Sequence, residues 1–296
     1  MNTETAVITL AGRPNAGKST LINALTGEKI AIVTNKPQTT RGRIFGVVNR
    51  GEKQLVFADT PGFHRARTRL DDRMADVVRR SMDGVDAAAL IVEPVASVGE
   101  AERELLAHIA SENIPALLII NKIDTVKKES LLGVIAAYSD YYEFDSIIPI
   151  SAKYGDGLDK LLTIFEGYAT AGPKLFPEGM VTDQPDSVLA AELVREKLLF
   201  CLEHEVPHGT AVEITKFSRR DDGIIDVAAT IYCEKESHKA IIIGKNGKML
   251  KKIGALARAD IESFMGAKVF LQTWVRVKEG WRDDGALVRE LGHPTA

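Results

Sequence analysis

The sequence predicts an α/β fold for its first half and an α+β fold for its second half. In the first half, apolar runs of strand length alternate with helical patterns, as in a mostly parallel sheet with helices on both faces. In the second half, the patterns follow the order helix, two strands, two helices, strand. The length of 296 residues agrees with about two domains.

The first strand and helix enclose a glycine-rich loop. Residues 12–19, G-R-P-N-A-G-K-S, fit G-x-x-x-x-G-K-[ST] and lie between an apolar run at 6–11 and a helix-forming run at 19–25. Such a loop binds phosphates because backbone N–H groups and a helix N-terminus approach the oxygens. We expect Lys18 to reach the β- and γ-phosphates and Ser19 to hold Mg²⁺. The predicted phosphate-binding residues are Gly12, Arg13, Pro14, Asn15, Ala16, Gly17, Lys18, Ser19 and Thr20.

A second loop follows a predicted hairpin with strands at 44–49 and 54–58. It reads Asp59-Thr60-Pro61-Gly62, and a carboxylate at the end of a buried strand can bind the metal directly or through water. The Gly62 N–H can bind a γ-phosphate oxygen, so the loop can sense hydrolysis. Phe63 comes next, and its side chain has no donor that could orient an attacking water; we therefore predict slow hydrolysis or another group that places the water.

Two further loops carry residues suited to guanine. Asn121-Lys122-Ile123-Asp124 follows the apolar run 116–120, and Ser151-Ala152-Lys153 follows the run 146–150. Asp124 can accept hydrogen bonds from guanine N1–H and the 2-amino group, whereas adenine would leave this carboxylate unpaired. We expect Asn121 to steady the loop, the Lys122 stem to lie over the base, and the Ala152 N–H to bind guanine O6.

The second half contains a Gly-x-x-Gly loop between two predicted helices. Predicted elements are a helix at 188–200 capped by Asp186 and Ser187, strands at 210–217 and 224–233, helices ending at 243 and spanning 248–264, and a strand at 268–277. Cations surround the loop and can follow a nucleic-acid backbone, although a solvated face is the alternative. The predicted RNA-binding residues are Lys239, Gly244, Lys245, Asn246, Gly247, Lys248 and Lys251. Trp274 is either a stacking surface or, more often on such a strand, core.

The composition restricts the classes of protein to which this chain can belong. The net charge of −3 gives no whole-chain argument for nucleic acid, so that argument must be local. Cys201 and Cys233 suggest neither a disulfide framework nor a zinc site. The N-terminus lacks signal-peptide features and no apolar run approaches a membrane span. Residues 29–41, polar with a central proline, predict a mobile loop.

The motifs G-R-P-N-A-G-K-S, T-T-R, D-T-P-G, N-K-I-D and S-A-K, in this order over residues 5–170, resemble the translation-factor-class GTPases of the TrmE–Era–EngA class. The resemblance implies a P-loop GTPase domain that binds GTP or GDP and Mg²⁺, with Ser19, Thr40 and Asp59 at the metal. Thr39 is the alternative to Thr40, because spacing alone cannot choose. The implied catalytic group is Lys18, Thr40, Asp59 and Gly62. Asn15 matches members that recruit K⁺; the alternative is that Asn15 only hydrogen-bonds within its loop.

The second half resembles a type II KH domain, and the combination resembles the Era family. The implied organisation is a GTPase domain at 1–170, a linker at 171–185, a KH domain at 186–281 and a tail at 282–296. The resemblance further implies a monomeric GTP-hydrolysing switch that binds the 3′ end of 16S ribosomal RNA and assists maturation of the 30S subunit. It also implies a cytoplasmic protein with peripheral association with the inner membrane.

Two other functions fit parts of the sequence. An RNA-binding module with a structural, non-hydrolysed nucleotide has some support from Phe63. A tRNA-modifying GTPase would predict a reactive C-terminal cysteine, which residues 282–296 lack.

Overall fold

The computed structural model describes residues 3–36, 39–63, 68–204 and 206–291. The chain folds into two compact units. The first contains the described residues within Met1–Ala31, Thr40–Ala66 and Asp72–Asp183. The second contains those within Ile32–Thr39, Arg67–Asp71 and Gln184–Ala296. The predicted loop at 29–41 and the predicted tail both include residues outside the described part of the chain, at 37–38 and 292–296 respectively.

The first unit is built on a mostly parallel sheet, as predicted. Its strands follow the order β2-β3-β1-β4-β5-β6, with β2 antiparallel to β3 and a short β7 antiparallel to the start of β1. The strand bounds are β1 Glu4–Ala11, β2 Ile44–Arg50, β3 Lys53–Asp59, β4 Ala87–Val92, β5 Ala116–Ile120, β6 Ser146–Pro149 and β7 Thr170–Ala171. Parallel register places Leu10 beside Asp59, so the loops that follow β1 and β3 leave the sheet at one edge.

Apolar clusters cover both faces of this sheet. Alternate residues of β1, including Ile8 and Leu10, belong to one cluster, and Leu90 of β4 and Leu118 of β5 belong to another. The helices are α1 Lys18–Thr26, α2 Arg69–Arg80, α3 Glu100–Ser111, α4 Lys128–Ser139 and α5 Leu158–Glu166. This double burial explains why the strands read as continuous apolar runs.

Residues of the predicted linker form hydrogen bonds with strands and the N-terminal segment of the first unit. The Gly172 N–H donates to the Thr3 carbonyl, and the Val47 N–H donates to the Val181 carbonyl. The Gln54 side chain donates to the Phe176 carbonyl at 2.9 Å and accepts from the Phe176 N–H at 2.9 Å. The last change from the first unit to the second along the chain falls between Asp183 and Gln184.

The second unit is an α+β domain with a three-stranded sheet in the order β10-β9-β8. β9 and β10 are parallel, whereas β8 and β9 are antiparallel with a bulge between Ile214 and Lys216. Leu198, Ile231 and Ile253 belong to its apolar core. The bounds are α6 Asp186–Cys201, β8 Ala211–Arg219, β9 Ile225–Cys233, α7 Glu236–Ile243, α8 Lys248–Met265, β10 Val269–Val277 and α9 Gly285–Leu291.

Three details differ from expectation. The predicted cap of α6 by Asp186 and Ser187 was wrong. Both residues lie within the first helical turn, and the N-cap is Pro185, which has no side chain that could cap the helix. Trp274 is 46% exposed, so the core interpretation of this residue was wrong. The predicted tail contains α9, and the buried indole of Trp281 donates to the Gly209 carbonyl at 2.9 Å. None of the helices in the described part of the chain has the length and apolar character that a membrane crossing requires.

Candidate functional site

The glycine-rich loop begins where β1 ends and leads into the first turn of α1, which carries Lys18, Ser19 and Thr20. Gly12 has φ +152°, and a Cβ there would lie 2.3 Å from the Ile91 carbonyl oxygen. Gly17 has φ +100°, and a Cβ there would lie 2.1 Å from Asn121 Nδ2. Both positions therefore require glycine.

The side chain of Lys18 is buried inside this loop. Its Nζ donates to the Gly12 and Arg13 carbonyls, each at 3.0 Å. Burial lowers the pKa of Lys18 to about 8, and the nearby Asp59 partly opposes that shift. Because the carbonyls hold the ammonium in place, a cation is already positioned in the loop that the sequence assigns to phosphate.

Three oxygen-bearing side chains, from the start of α1, the loop before β2 and the end of β3, meet beside this lysine. Ser19 Oγ lies 2.8 Å from Asp59 Oδ2 and 2.9 Å from Thr40 Oγ1, and Thr40 Oγ1 lies 3.4 Å from Asp59 Oδ2. Asp59 is fully buried, and its Oδ1 has no hydrogen-bond partner among the described residues. Burial raises the pKa of Asp59, against the charge of Lys18 and the hydroxyl hydrogen bonds. A buried carboxylate oxygen without a partner, beside two hydroxyls, fits a hard cation such as Mg²⁺.

Thr39 lies apart from this cluster. Its hydroxyl donates to the Lys36 carbonyl at 2.6 Å and lies 2.7 Å from Thr34 Oγ1. The structure therefore places Thr40, and not Thr39, beside Ser19 and Asp59.

The loop after β3 packs closely on the glycine-rich loop. Thr60 Oγ1 donates to the Leu10 carbonyl at 2.8 Å, and the Phe63 N–H donates to the Gly12 carbonyl at 3.1 Å. A Cβ on Gly62 would lie 2.6 Å from the Pro14 Cα, so only glycine fits there. The Phe63 side chain is 8% exposed and belongs to an apolar cluster, which leaves it no means of orienting water.

The two predicted guanine loops are joined to each other and to the phosphate loop. Asn121 Nδ2 donates to the Ala16 carbonyl at 2.9 Å, while its Oδ1 accepts from the Ala152 N–H at 3.0 Å. Ser151 Oγ donates to Asp124 Oδ1 at 2.6 Å, which fixes one oxygen of that carboxylate. The Ala152 N–H already donates to Asn121 Oδ1. Guanine O6 could accept from this N–H only by sharing it with Asn121 Oδ1 or by displacing that oxygen.

Other predicted nucleotide residues have contacts that the sequence did not indicate. The Lys122 ammonium lies 2.5 Å from Glu93 Oε1, and the Arg13 guanidinium lies 2.5 Å from Glu102 Oε2. Lys153 lies over the Tyr154 ring at 4.8 Å. Neither glutamate belongs to a recognised motif, so the sequence carried no signal for them.

The Gly-x-x-Gly loop of the second unit forms a tight turn between α7 and α8. Residues Lys245–Gly247 form a 3-10 turn, and Gly244, Asn246 and Gly247 have φ values of +70°, +54° and +75°. A Cβ on Gly244 would lie 2.7 Å from the Met249 Cβ. The backbone at Gly244 is therefore restricted to glycine both by its conformation and by its neighbour.

A groove of about 420 Å³ opens beside this turn, between α8 and β10. The exposed cations Lys251 and Arg258 line it together with Leu250 and Leu271. The predicted RNA-binding residues Lys245, Asn246 and Lys248 are exposed, and the Lys239 ammonium pairs with Glu236 at 3.5 Å. The lining was not predicted, although Leu250, Gly254 and Arg258 recur with helical spacing.

Residues 32–36 and 39 belong to the second unit, where they contact α6. The Val33 N–H donates to Glu196 Oε1 at 3.0 Å, and Lys36 Nζ donates to the Leu202 carbonyl. The Arg195 guanidinium, 2% exposed, donates to the Thr39 carbonyl and pairs with Glu192 at 2.5 Å. Sequence reasoning gave α6 no role in holding this segment.

Comparison with known proteins agrees with this architecture. Residues 7–122 match the family of 50S ribosome-binding GTPases, and residues 205–282 match the KH domain family, which confirms the predicted domain types. GTPase Era of Ruminiclostridium cellulolyticum is 46% identical over 100% of this chain and 99% of the relative. GTPase Era of Geobacter metallireducens is 46% identical over 97% of this chain and 96% of the relative.

Two solved structures share the whole fold. One is Era in complex with MgGDPNP and nucleotides 1506–1542 of 16S ribosomal RNA, and the other is an Aquifex aeolicus Era variant bound to GDP and AlF₄⁻. Each has a TM-score of 0.94 and 35% identity, covering 98% of this chain and 99% of the other. With near-complete coverage at this level of identity, the chain belongs to the Era family of GTPases.

Proposed function

We propose that this GTPase acts as a switch that binds the 3′ end of 16S ribosomal RNA through its KH domain and assists maturation of the 30S subunit. The observation that carries the proposal is the presence of two sites in one chain. One is the set of guanine-nucleotide loops, and the other is a basic groove beside a Gly-x-x-Gly turn. The crystal structure of the relative with MgGDPNP and nucleotides of 16S ribosomal RNA supports both ligands.

The nucleotide is assigned to the loops that the hydrogen bonds bring together. Lys18 would bind phosphate oxygens once these replace its two carbonyl acceptors, and Gly62 would present its N–H to the γ-phosphate. Asp124, with one oxygen fixed by Ser151, would accept from the guanine edge. The remaining predicted residues of the four loops would line the nucleotide site.

Ser19, Thr40 and Asp59 would hold the magnesium ion. When bound, the metal neutralises charge that develops on the β- and γ-phosphate oxygens. Ser19 and Thr40 contribute hydroxyl oxygens, and Asp59 contributes the charge that keeps the site selective for a cation. Because Ser19 follows the phosphate loop and Thr40 lies in the 29–41 loop, metal and nucleotide together would order both segments.

Hydrolysis in this protein would proceed by attack of water without a side-chain base. Phe63 is buried among apolar residues and cannot orient the water, so turnover of the isolated protein should be slow. A monovalent cation beside the phosphates, held in part by Asn15, would supply positive charge in place of an arginine finger. Asn15 adopts φ +65° in the exposed part of the loop.

The RNA backbone is assigned to the Gly-x-x-Gly turn and the groove beside it. Positive φ values at the glycines bring backbone close to the surface, where no side chain would obstruct a phosphate. Lys245, Lys248 and Lys251 would neutralise phosphates, and the apolar groove lining would receive bases.

The contacts of Val33, Lys36 and Thr39 with α6 and Leu202 would let a change at Thr40 reach the KH domain. Arg195 holds the carbonyl of Thr39, the residue immediately before the metal-site candidate Thr40. Ordering of Thr40 by metal and GTP would move the peptide that joins Thr39 to Thr40 and so bias the contacts of α6 with Thr39 and Val33.

The proposed organisation has a GTPase domain at 1–170, a linker at 171–185, a KH domain at 186–281 and a tail at 282–296, in a monomer. From the family resemblance we also infer a cytoplasmic protein with peripheral association with the inner membrane. Co-sedimentation with anionic vesicles, compared with neutral ones, tests the membrane association directly.

The test of the switch measures phosphate release and RNA affinity together. The full chain is incubated with GTP or ATP, with an RNA of the 16S 3′ end or a scrambled control. We expect release from GTP only, and different affinities for the cognate RNA in GDPNP and GDP. Equal affinity for cognate and scrambled RNA would contradict the RNA assignment. If no phosphate were released in any condition, a structural nucleotide would be the better account.

A further inference from the structure

We propose that the connection between β4 and α3, residues 93–99, together with the first turn of α3, positions the phosphate loop and the guanine loop through two ion pairs. The pair of Arg13 with Glu102 is the principal one, and it sets the affinity for nucleotide. The inference rests on the proposed nucleotide site and adds Glu93, Gly99 and Glu102 as positioning residues that contact no nucleotide atom in that proposal.

The Arg13–Glu102 pair places a nearly buried carboxylate under a half-exposed guanidinium. Arg13 Nη2 lies 2.5 Å from Glu102 Oε2, and the side chains are 48% and 5% exposed. A carboxylate with so little water around it needs its cation, so the pair is harder to separate than a surface ion pair. Glu102 also lies in the first turn of α3, where the helix dipole favours negative charge.

The space occupied by the guanidinium is provided by Gly99. A Cβ at this position would lie 1.6 Å from Arg13 Nη2 and 2.8 Å from Arg13 Cζ. Gly99 has φ −86°, a backbone conformation open to any residue. A side chain at position 99 would therefore displace the Arg13 guanidinium and press on Glu102 Oε2, 2.9 Å from the same Cβ, although the backbone itself would accept one.

The other end of Arg13 lies in the phosphate loop. Its carbonyl accepts from Lys18 Nζ at 3.0 Å, and it also accepts from the Ala16 N–H at 3.4 Å. A guanidinium fixed on α3 consequently restricts the loop residue that orients the phosphate-binding lysine.

The start of the connection holds the guanine loop in the same way. Glu93, directly after β4, pairs with Lys122 at 2.5 Å, and Lys122 has φ +63° next to Asn121. Asn121 in turn donates to the Ala16 carbonyl of the phosphate loop. The segment thus fixes the separation of two loops that grip opposite ends of a nucleotide, which affects binding of GTP and GDP alike and leaves the chemical step unchanged.

The experiment compares three single variants with matched controls in the full chain. Glu102→Gln removes the charge of the carboxylate, Arg13→Ala removes the guanidinium, and Gly99→Ala evicts the guanidinium while keeping both charges. Glu104→Gln, exposed on the same helix, and Gly133→Ala, where a Cβ meets only Ala96 at 3.9 Å, are the controls. Dissociation constants are measured for GDP and GDPNP, and kcat at saturating GTP.

We expect each of the three variants to raise both dissociation constants about tenfold, and in E102Q and G99A kcat should stay within about twofold of the unmodified chain. The double variant R13A/E102Q should bind as the single variants do, because both remove one interaction. Glu93→Gln should have a smaller effect, since Glu93 is 50% exposed.

Wild-type affinity in folded E102Q and G99A would overturn the inference, as would a fall in kcat at unchanged affinity. Thermal unfolding of each variant identifies loss of fold, and G99A, which keeps both charges, carries the test if E102Q does not fold. If the unmodified chain failed to bind GDP or GDPNP, the proposed nucleotide site itself would be wrong.

Discussion

Ser19 Oγ donates a hydrogen bond of 2.8 Å to Asp59 Oδ2, joining the first turn of α1 to the end of β3. The two residues are 40 positions apart in the sequence and meet because β1 and β3 are parallel neighbours. With Thr40 Oγ1 at 2.9 Å from Ser19 Oγ, they bring three side-chain oxygens together at one edge of the sheet.

The first prediction concerns this cluster. Ser19→Ala should raise the Mg²⁺ concentration needed for half-maximal GTP binding by roughly tenfold or more, because it removes one metal ligand. GTP binding by fluorescent analogue is titrated with Mg²⁺ for the variant and the unmodified chain. Ser111→Ala, at an exposed helix end, should leave the titration unchanged. An unaltered Mg²⁺ dependence in S19A would rule out Ser19 as a ligand.

Base specificity should follow Asp124. In Asp124→Asn, the oxygen that accepts from Ser151 is kept, and an N–H₂ group replaces the other oxygen. Guanine then faces a donor with its own 2-amino donor, so GTP affinity should fall at least about a hundredfold, while xanthosine triphosphate gains. Competition assays with both nucleotides test this, with the exposed Asp140→Asn as control. Retained preference for GTP would contradict the role of Asp124.

The salt dependence of RNA affinity should show whether the RNA backbone binds at the groove beside the Gly-x-x-Gly turn. Removing Lys245 and Lys251 together should weaken binding of the 16S 3′-end RNA and reduce the slope of log affinity against log salt by about 1 to 2. Removing the exposed Lys128 and Lys160 of the first unit subtracts the same charge and should leave the slope nearly unchanged. Equal slopes in the two double variants would place the RNA elsewhere.

Alkaline pH should weaken the fold through Tyr138. Burial, and secondarily the charge of Glu102, raises the pKa of Tyr138 from 10.0 to about 12. A raised pKa in the folded state means that the neutral phenol contributes stability below pH 10, and that this contribution declines as pH rises towards 12. The free energy of unfolding of the unmodified chain, relative to Tyr138→Phe, should fall by about 1 kcal/mol between about pH 9 and about pH 11. A constant difference between the two chains would show that Tyr138 titrates normally.

Short motifs predicted which loops lie together at one edge of the sheet, because each motif combines a buried strand with a loop of fixed chemistry. Glycine is demanded at 12 and 17 because a Cβ there would lie within 2.5 Å of a neighbouring atom, and such local constraints leave a mark in the sequence. Glu102 and Glu93 escaped prediction because an ion pair between distant residues has no spacing rule. The same holds for Arg195, whose acceptor is a backbone carbonyl 156 positions away.

The secondary-structure elements that the sequence did not predict are likewise those that depend on tertiary contacts. α2 was not predicted because its sequence is dominated by charge, although the buried residues Leu70, Met74 and Val78 recur every four positions. α9 was not predicted because it is short and its burial depends on tertiary contacts. Trp274 was misassigned because alternation along a strand does not reveal which face is covered.

The buried position of Phe63 has a consequence for timing. An enzyme that lacks its own means of placing the attacking water keeps GTP for an interval set by whatever binds it, such as an ion or an assembling particle. The lifetime of bound GTP would therefore depend on the binding partner. Each cycle would end when that partner promotes hydrolysis, and not after a fixed time.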